Sequence, residues 1–341
     1  EEAAARWALS LLSLPPQSAV GFTTGATMAN LAALAAARHA VLEPAGWNVE
    51  EQGLAGAPSI SVVVGEEVHV SVLKALSLLG FGRTRLRRVP VDRQGRMRAD
   101  LLPPLDAPAI VCAQAGNVNT GASDPLRAIC EHAHASGAWV HVDGAFGLWA
   151  LASPAHAHLV DGAELADSWA TDAHKWLNAP YDSGIAIVRE AGALRAAMAS
   201  SAAYLAAGGL RDGAAFVPEL SRRARGIEVW AALRSLGRRG VAELVERCCR
   251  LARRFAEGAR AAGHEVLNDV VLNQVLVSFG AAQRTHRIIE AVQRDGTCWC
   301  GGTVWQGHPA LRFSVSSWAT SDADIDRSLA AIHRIASVHN R

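Results

Sequence analysis

A lysine lies beside a histidine in the loop Thr171-Asp172-Ala173-His174-Lys175-Trp176, which follows a short apolar segment. The chain contains 33 basic residues counted as Lys plus Arg, and of these only Lys74 and Lys175 are lysines. A lysine amine that loses its proton can form an imine with a carbonyl compound, whereas arginine cannot. Lys175 is therefore a candidate for Schiff-base chemistry.

A carboxylate stands at the end of another apolar segment, His141-Val142-Asp143-Gly144-Ala145. If this segment is a strand, side-chain alternation places His141 and Asp143 on one face. Open α/β sheets bind ligands beyond the carboxyl ends of their strands. There Asp143 could keep the ring nitrogen of pyridoxal 5′-phosphate (PLP) protonated, which makes the ring an electron sink. The alternative is an aspartate that caps a helix.

Two further segments could contact such a ligand. Residues 21–27, Gly-Phe-Thr-Thr-Gly-Ala-Thr, are predicted to form a turn that leads into a helix from Met28 to His39. Backbone N–H groups at a helix N-terminus can hold a phosphate, although this segment is neither a Walker A nor a GxGxxG sequence and could be an ordinary turn. His69 precedes a predicted helix and could stack on a flat ring, or simply act as a capping or core residue.

The elements that must position these residues alternate along the chain. Helices are predicted at 3–14, 28–39, 70–79 and 125–136, and strands at 59–64, 87–91, 109–113, 138–142, 168–171 and 184–188. This alternation predicts an α/β domain with a mostly parallel sheet. After Gly226 we predict helices at 227–236, 241–262, 283–294 and 322–338, with strands at 273–279 and 311–316, which describes a compact α+β region.

Composition excludes several other classes of protein. The formal net charge is +1 and half of the residues are hydrophobic, so the chain can bury a large core and does not resemble a nucleic-acid-binding protein. The arginines at 83–88 are interpreted as a solvated turn. Six cysteines show no pattern of metal ligands, which predicts no metal site and reduced thiols in a cytoplasmic protein. We find no membrane span, and Glu1-Glu2-Ala3 does not begin a secretory signal.

Taken together, the segments resemble the group II PLP-dependent amino-acid decarboxylases, which have the fold-type-I architecture of aspartate aminotransferase. The similar blocks follow one order from about residue 3 to the end of the chain. They are GFTTGATMANLAALAAARH, VHVSVLKALSLLG, WVHVDGAFG, ADSWATDAHKWLNAPYDSG, ELSRRARGIEVWAALRSLG and LRFSVSSWATSDADIDR. The resemblance implies a PLP-binding large domain at 21–235, a small C-terminal domain at 236–341, and a remnant of an N-terminal helical segment at 1–20.

The resemblance also implies a role for each matched residue. Lys175 is the Schiff-base lysine, Asp143 the partner of the pyridine nitrogen, and His69 the residue that stacks on the front of the ring. Tyr204 falls where the family's mobile loop carries a tyrosine that protonates Cα after carbon dioxide leaves. The remaining predicted cofactor contacts are Ala145 behind the ring, and Gly25, Ala26, Thr27, Ser168 and His174 at the phosphate. Arg222 matches an arginine of a family motif.

The implied activity is decarboxylation of an L-amino acid to the amine and carbon dioxide, by a homodimer. Other PLP chemistry is an alternative: an aldehyde synthase, an aldehyde-lyase or an aminotransferase, for which Arg312 is a candidate carboxylate-binding residue. A degenerate, non-catalytic protein of the same fold is another. Tyr204 argues against an aldehyde synthase. One departure from the family pattern concerns Asp172, because the family has asparagine there and a carboxylate would lie near the phosphate.

Overall fold

The computed structural model describes residues 1–200 and 211–339. Its helices are α1 (Glu2–Leu11), α2 (Ala26–Leu42), α3 (Val49–Gln52), α4 (Val70–Leu78), α5 (Leu126–His134), α6 (Ala191–Met198), α7 (Gly226–Ala261), α8 (Ala282–Asp295) and α9 (Asp322–Val338). Its strands are β1 (Ala19–Thr23), β2 (Ser61–Gly65), β3 (Arg87–Val89), β4 (Ala109–Gln114), β5 (Trp139–Asp143), β6 (Ser168–Asp172), β7 (Gly184–Val188), β8 (Glu265–Val266), β9 (Gln274–Ser278), β10 (Gly301–Trp305) and β11 (His308–Ser314).

The larger sheet of the described residues has the strand order β1-β7-β6-β5-β4-β2-β3. Strands β3, β2, β4, β5 and β6 pair in parallel, and β7 is antiparallel to both of its neighbours. Parallel strands need crossover connections, and here helices such as α4 and α5 supply them. The predicted α/β fold with a mixed, mostly parallel sheet is confirmed.

Side-chain alternation divides the core into two layers. On β5, Val140 and Val142 face the layer that contains α1, α5 and α7, whereas Trp139 faces the layer that contains α2 and α4. His141 and Asp143 share the parity of Trp139, so they lie on one face of the strand, as predicted, and that face is the one towards α2. Helix α2 is rich in alanine, which favours helix formation and lets the helix backbone lie close to the sheet.

The prediction of a turn over residues 21–27 is wrong in its first half. Ala19–Thr23 is a fully buried strand that pairs antiparallel with β7. Gly21 suggested a turn. The position instead requires glycine because the chain packs closely there, and a Cβ would lie 2.2 Å from the carbonyl oxygen of Phe216. Helix α2 then begins at Ala26, two residues earlier than predicted.

The smaller sheet is antiparallel, with the order β10-β11-β9-β8 in the described residues. Our prediction missed β8 and β10. Helix α9 has the predicted bounds, Asp322–Val338, because a capping box fixes its start: Ser321 accepts from the Asp324 backbone, and the Asp324 side chain accepts from the Ser321 N–H.

Helix α7 joins the two sheets. It is interrupted at Gly237, where φ is 59°, and the predicted domain boundary at residue 235 lies two residues earlier. The boundary itself stays a prediction. Helix α1 packs on α7, with the rings of Trp7 and Trp230 stacked at 6.3 Å, and Arg238 donates to the carbonyl of Ser10. No helix in the described part of the chain is long and apolar enough to cross a membrane.

Candidate active site

The predicted site residues converge at one edge of the large sheet. Asp143 ends β5, Asp172 ends β6, and the loop after β6 carries Lys175. The N-terminus of α2 lies at the same edge, because Asp172 contacts Ala26, and so does the N-terminus of α4, which His69 precedes. Carboxyl ends of neighbouring parallel strands meet at one edge of a sheet, and this edge is where α/β proteins bind ligands.

Lys175 makes an ion pair with the neighbouring Asp172. Its Nζ lies 2.9 Å from Oδ2 of Asp172, and about a third of the lysine side chain is exposed. The loop that carries Lys175 is held to the segment after β11 by Asn178, whose amide donates to the carbonyl of Ser316 at 2.9 Å. The lysine amine is therefore accessible, and both its carboxylate partner and its loop are fixed.

Asp143 is a buried carboxylate on the α2 side of the sheet. Its Oδ2 accepts from the Ser71 hydroxyl at 3.3 Å, and its Oδ1 accepts from the N–H of Ala145 at 3.2 Å. Burial raises the pKa of Asp143, and the nearby charges of His69 and Lys175 oppose that rise. A positive group placed beside this carboxylate would favour its ionised form.

A continuous series of hydrogen bonds ends on Asp143. It runs through Trp139, Ser168, His141, Asn30 and Ser71, and we call it the polar chain. The Trp139 indole donates to the Ser168 hydroxyl at 2.9 Å, and Ser168 lies 2.9 Å from Nδ1 of His141. Nε2 of His141 lies 2.8 Å from Oδ1 of Asn30, whose amide nitrogen donates to Ser71 at 3.2 Å.

The polar chain has one direction. An indole N–H can only donate, so the Ser168 oxygen accepts from Trp139. Burial lowers the pKa of His141 to about 3, so its ring is neutral and Nε2 donates to Asn30. Because Nε2 carries the single ring proton, Nδ1 accepts from the Ser168 hydroxyl, and the donors from Trp139 to Asn30 all point towards Asp143.

His69 caps helix α4 and faces the same carboxylate. Its Nδ1 accepts from the Ser71 N–H at 3.2 Å and lies 2.8 Å from the Ser71 hydroxyl. Burial lowers the pKa of His69, the Asp143 carboxylate raises it, and the net direction is down. The Ser71 hydroxyl thus lies between the imidazole and the carboxylate and contacts both.

Gly25, the residue before α2, has no side chain, and neighbouring groups lie close to it. A Cβ at Gly25 would lie 3.2 Å from Cε1 of His174, and a Cβ at Gly184 would lie 2.4 Å from the backbone of Gly25. Nδ1 of His174 accepts from the Ser183 N–H at 3.1 Å, so Nε2 carries the proton and points to Asp172 at 3.4 Å. Burial lowers the pKa of His174.

The structure brings most of the predicted residues together. Those at this edge are Lys175, Asp143, His69, Ala145, Gly25, Ala26, Thr27 and His174. Ser168 is an exception, because it begins β6 at the opposite end of that strand, is fully buried, and is bonded to His141 and Trp139. Its assignment to the phosphate is therefore corrected. Tyr204 lies outside the described residues.

Sequence reasoning missed Asn30 and Ser71. Both are buried polar residues on otherwise apolar helix faces, and both lie inside segments that resemble the family, so either signal could have found them. Arg312 on β11 donates to the carbonyl of Val118 at 3.0 Å, and its charge lowers the pKa of His69. Strand β11 therefore contributes a cation near the imidazole. Arg222 forms an ion pair with Glu1, the first residue of the sequence.

These groups fit PLP by the chemistry of their donors and acceptors. The primary amine of Lys175 suits an aldehyde, and the buried carboxylate of Asp143 suits a pyridine nitrogen. The helix N-terminus at Gly25, which has no side chain, suits a phosphate. The residues that would hold the cofactor are Lys175, Asp143, His69, Ala145, Gly25, Ala26, Thr27 and His174. When bound, PLP supplies an electron sink.

Fold and site thus define an α/β protein of the PLP-binding class. The profile of the pyridoxal-dependent decarboxylase conserved domain matches residues 4–281. The chain belongs to the pyridoxal-dependent decarboxylase family.

Named relatives agree with this family. Tryptophan decarboxylase 1 of Oryza sativa subsp. japonica is 29% identical over 91% of this chain and 67% of its own length. Aromatic-L-amino-acid decarboxylase of Bacillus atrophaeus is 31% identical over 68% of this chain, and aspartate 1-decarboxylase of Aliivibrio fischeri is 31% identical over 69%. The matches cover 48% and 46% of those two relatives, so the chain spans about half of their length.

Solved structures show the same fold. The crystal structure of Oryza sativa TDC with PLP and tryptamine superposes with a TM-score of 0.89 at 24% identity, covering 99% of this chain and 75% of that one. Mouse CSAD gives 0.87 at 24% identity, covering 98% and 75%.

Proposed function

We propose that this chain binds PLP through Lys175 and catalyses the decarboxylation of an L-amino acid to the amine and carbon dioxide. The observation that carries the proposal is the convergence of Lys175, Asp143 and His69 at one sheet edge in a member of this family. Relatives named tryptophan, aspartate and cysteine sulfinic acid decarboxylase support the reaction type. Their substrates differ in side chain, so the proposal extends to amino acids as a class.

Each residue has a separate task in this proposal. Lys175 supplies the amine that attaches the cofactor. Asp143 is the carboxylate that would hold a proton on the pyridine nitrogen, since a positive partner favours the ionised carboxylate. His69 presents a neutral ring to the site, because its pKa is lowered. Tyr204 donates the proton to Cα in this proposal and stands on the family resemblance alone.

We further propose a cytoplasmic homodimer. All six cysteines lie among the described residues and are unpaired there, which suits a reducing compartment. Helix α4, directly after His69, exposes Val70 and Leu78, each 63% accessible. Large exposed apolar side chains beside a site favour a protein interface.

The first experiment is a spectrum of the purified chain with PLP, before and after borohydride reduction. We expect a violet-absorbing band that depends on Lys175. Reduction of the imine to an amine should abolish this band and leave the cofactor permanently attached to the chain. Lys175→Ala should lack the band, and Lys74→Ala, which alters the exposed lysine of α4, should keep it. A wild-type chain without the band, or an equal band in Lys175→Ala, contradicts the cofactor site.

The reaction is tested next with amino acids and the loaded protein. Decarboxylation releases carbon dioxide and the amine without oxygen uptake. Phenylacetaldehyde synthase of Arabidopsis thaliana, a relative at 25% identity, is named for an aldehyde product. Formation of an aldehyde with oxygen uptake would therefore replace decarboxylation as the assigned reaction, and formation of a keto acid would indicate an aminotransferase.

A further inference from the structure

Asp172 is a buried carboxylate whose backbone is held on both sides. Its N–H donates to the carbonyl of Ala145 at 2.9 Å, and its own carbonyl accepts from the Trp149 indole at 3.0 Å. Trp149 is fully buried, and Asp172 is 3% exposed. Since the main chain cannot shift easily here, the carboxylate stays close to the groups that it contacts.

The side chain of Asp172 connects the first turn of α2 with the candidate cofactor lysine. Oδ1 accepts from the N–H of Ala26 at 2.6 Å, and Oδ2 lies 2.9 Å from Nζ of Lys175. Nε2 of His174 lies 3.4 Å from Oδ1. One carboxylate therefore contacts both the amine and the helix N-terminus, two parts that a cofactor with an aldehyde and a phosphate would need.

Because of this contact, Asp172 and a phosphate would compete for the first turn of α2. The N-terminus of a helix attracts anions through its free N–H groups and its dipole. The N–H of Ala26 is the first of α2, and Asp172 already accepts its hydrogen bond. A phosphate placed at this turn would approach a carboxylate of the same sign, and a few ångströms of separation between like charges costs about 1 kcal/mol or more.

We propose that Asp172 is a positioning residue that ties Lys175 to the first turn of α2 in the cofactor-free chain, and that it competes with the cofactor's phosphate for the N–H of Ala26. The inference rests on the proposed function. It follows that Asp172 lowers the preference of the site for phosphorylated over unphosphorylated pyridoxal, and that removal of its charge increases that preference.

The test compares two pairs of ligands in the wild type and in Asp172→Asn, which keeps the size of the side chain and removes its charge. PLP and pyridoxal share the aldehyde and differ in the phosphate, and binding is followed by the absorbance band. Pyridoxamine 5′-phosphate and pyridoxamine cannot form an imine with lysine, and their binding is followed by tryptophan fluorescence. Any effect of the lost ion pair on Lys175 cancels in the ratio of the two dissociation constants within each pair.

We expect the ratio of the dissociation constant of the unphosphorylated ligand to that of the phosphorylated ligand to rise about tenfold in Asp172→Asn, for both pairs. Asp106→Asn is the control, because it removes an exposed charge before β4, at the opposite edge of the sheet. An unchanged ratio overturns the proposal, and a lower ratio would mean that Asp172 helps to hold the phosphate.

Two safeguards keep the result interpretable. If Asp172→Asn does not fold, as judged by circular dichroism, Asp172→Ser removes the same charge with a smaller side chain. Failure of the proposed function has a different signature, since the wild type would then form no Lys175-dependent band with PLP at all. A band in the wild type together with an unchanged ratio rejects the role of Asp172 alone.

Discussion

The Ser71 hydroxyl contacts both His69 and Asp143, although Ser71 was given no role when the family motifs singled out these two. Its oxygen lies 2.8 Å from Nδ1 of His69 and 3.3 Å from Oδ2 of Asp143. Asn30 adds a hydrogen bond that lowers the pKa of Asp143, against the effect of burial. At the scale of single residues, the orientation of the carboxylate therefore depends on neutral neighbours.

We expect Ser71→Ala to weaken PLP binding about tenfold, since a hydrogen bond to a charged group contributes about 1.5 kcal/mol. Titration of the absorbance band with PLP measures the effect. Ser77→Ala, at an exposed position of the same helix, is the matched control and should bind as the wild type does. Equal affinities for Ser71→Ala and the wild type would mean that Asp143 needs no donor from α4.

At the scale of elements, His141 joins β5 to α2 through Asn30 and to β6 through Ser168. It is fully buried, and its pKa is lowered to about 3. An unfolded chain would protonate the same ring near pH 6.5. The folded-state pKa lies below the unfolded value, so the unfolded state binds more protons between these two values.

Stability should consequently fall as the pH decreases from about 6.5 towards 3, by at most about 3 kcal/mol from this residue at pH 4. Urea unfolding of the wild type and of His141→Gln between pH 7 and pH 4 separates this contribution from that of other groups. The variant should lose less stability over this range. His308→Gln, at an exposed histidine, should follow the wild type; parallel curves for wild type and His141→Gln would contradict the prediction.

The capping box of α9 makes a separate contribution. Ser321→Ala removes the side-chain acceptor of the Asp324 N–H, and we expect a loss of about 1 kcal/mol in the free energy of unfolding. Ser337→Ala, near the other end of the same helix, removes a hydroxyl that donates to a backbone carbonyl and should change stability little. A loss in Ser337→Ala as large as that in Ser321→Ala would mean that the cap is not the cause.

Whether an element could be predicted from the sequence depended on how clear its sequence pattern is. Strands such as β4 and β7 are apolar runs, and α9 has a cap, so their positions could be predicted. Strand β10 begins with Gly301 and Gly302 and alternates in exposure, so its pattern is weak. Ser168 was misplaced because a motif gives the order of residues along a strand, whereas only the fold shows which end of that strand faces the ligand.

At the scale of the whole molecule, residues that follow the larger sheet and residues of the smaller sheet approach one another. Arg312 on β11 reaches the loop at Val118, and Asn178 beside Lys175 donates to Ser316. The approach of these residues could not be predicted, because they are separated by more than a hundred positions in sequence. Lys175 and Asp143, in contrast, could be predicted, since each lies at or shortly after the end of an apolar strand.

Val70 provides a test of the proposed dimer. We expect the wild type to sediment at about twice the mass of one chain, and Val70→Asp to sediment as a monomer, because a buried charge at an interface is unfavourable. Val304→Asp is the control, with a valine that is 62% exposed on β10 of the smaller sheet. Monomeric wild-type protein, or monomers from both variants alike, would contradict an interface at α4.

The one-way order of the polar chain has a consequence for nuclear magnetic resonance. The Nε2 proton of His141 is fully buried, is shared with Asn30 at 2.8 Å, and belongs to a ring that does not titrate near neutral pH. Such a proton exchanges slowly with solvent, because exchange requires local unfolding. It should give a sharp downfield resonance in the cofactor-free protein, and so report whether β5, β6 and α2 are assembled before any ligand is added.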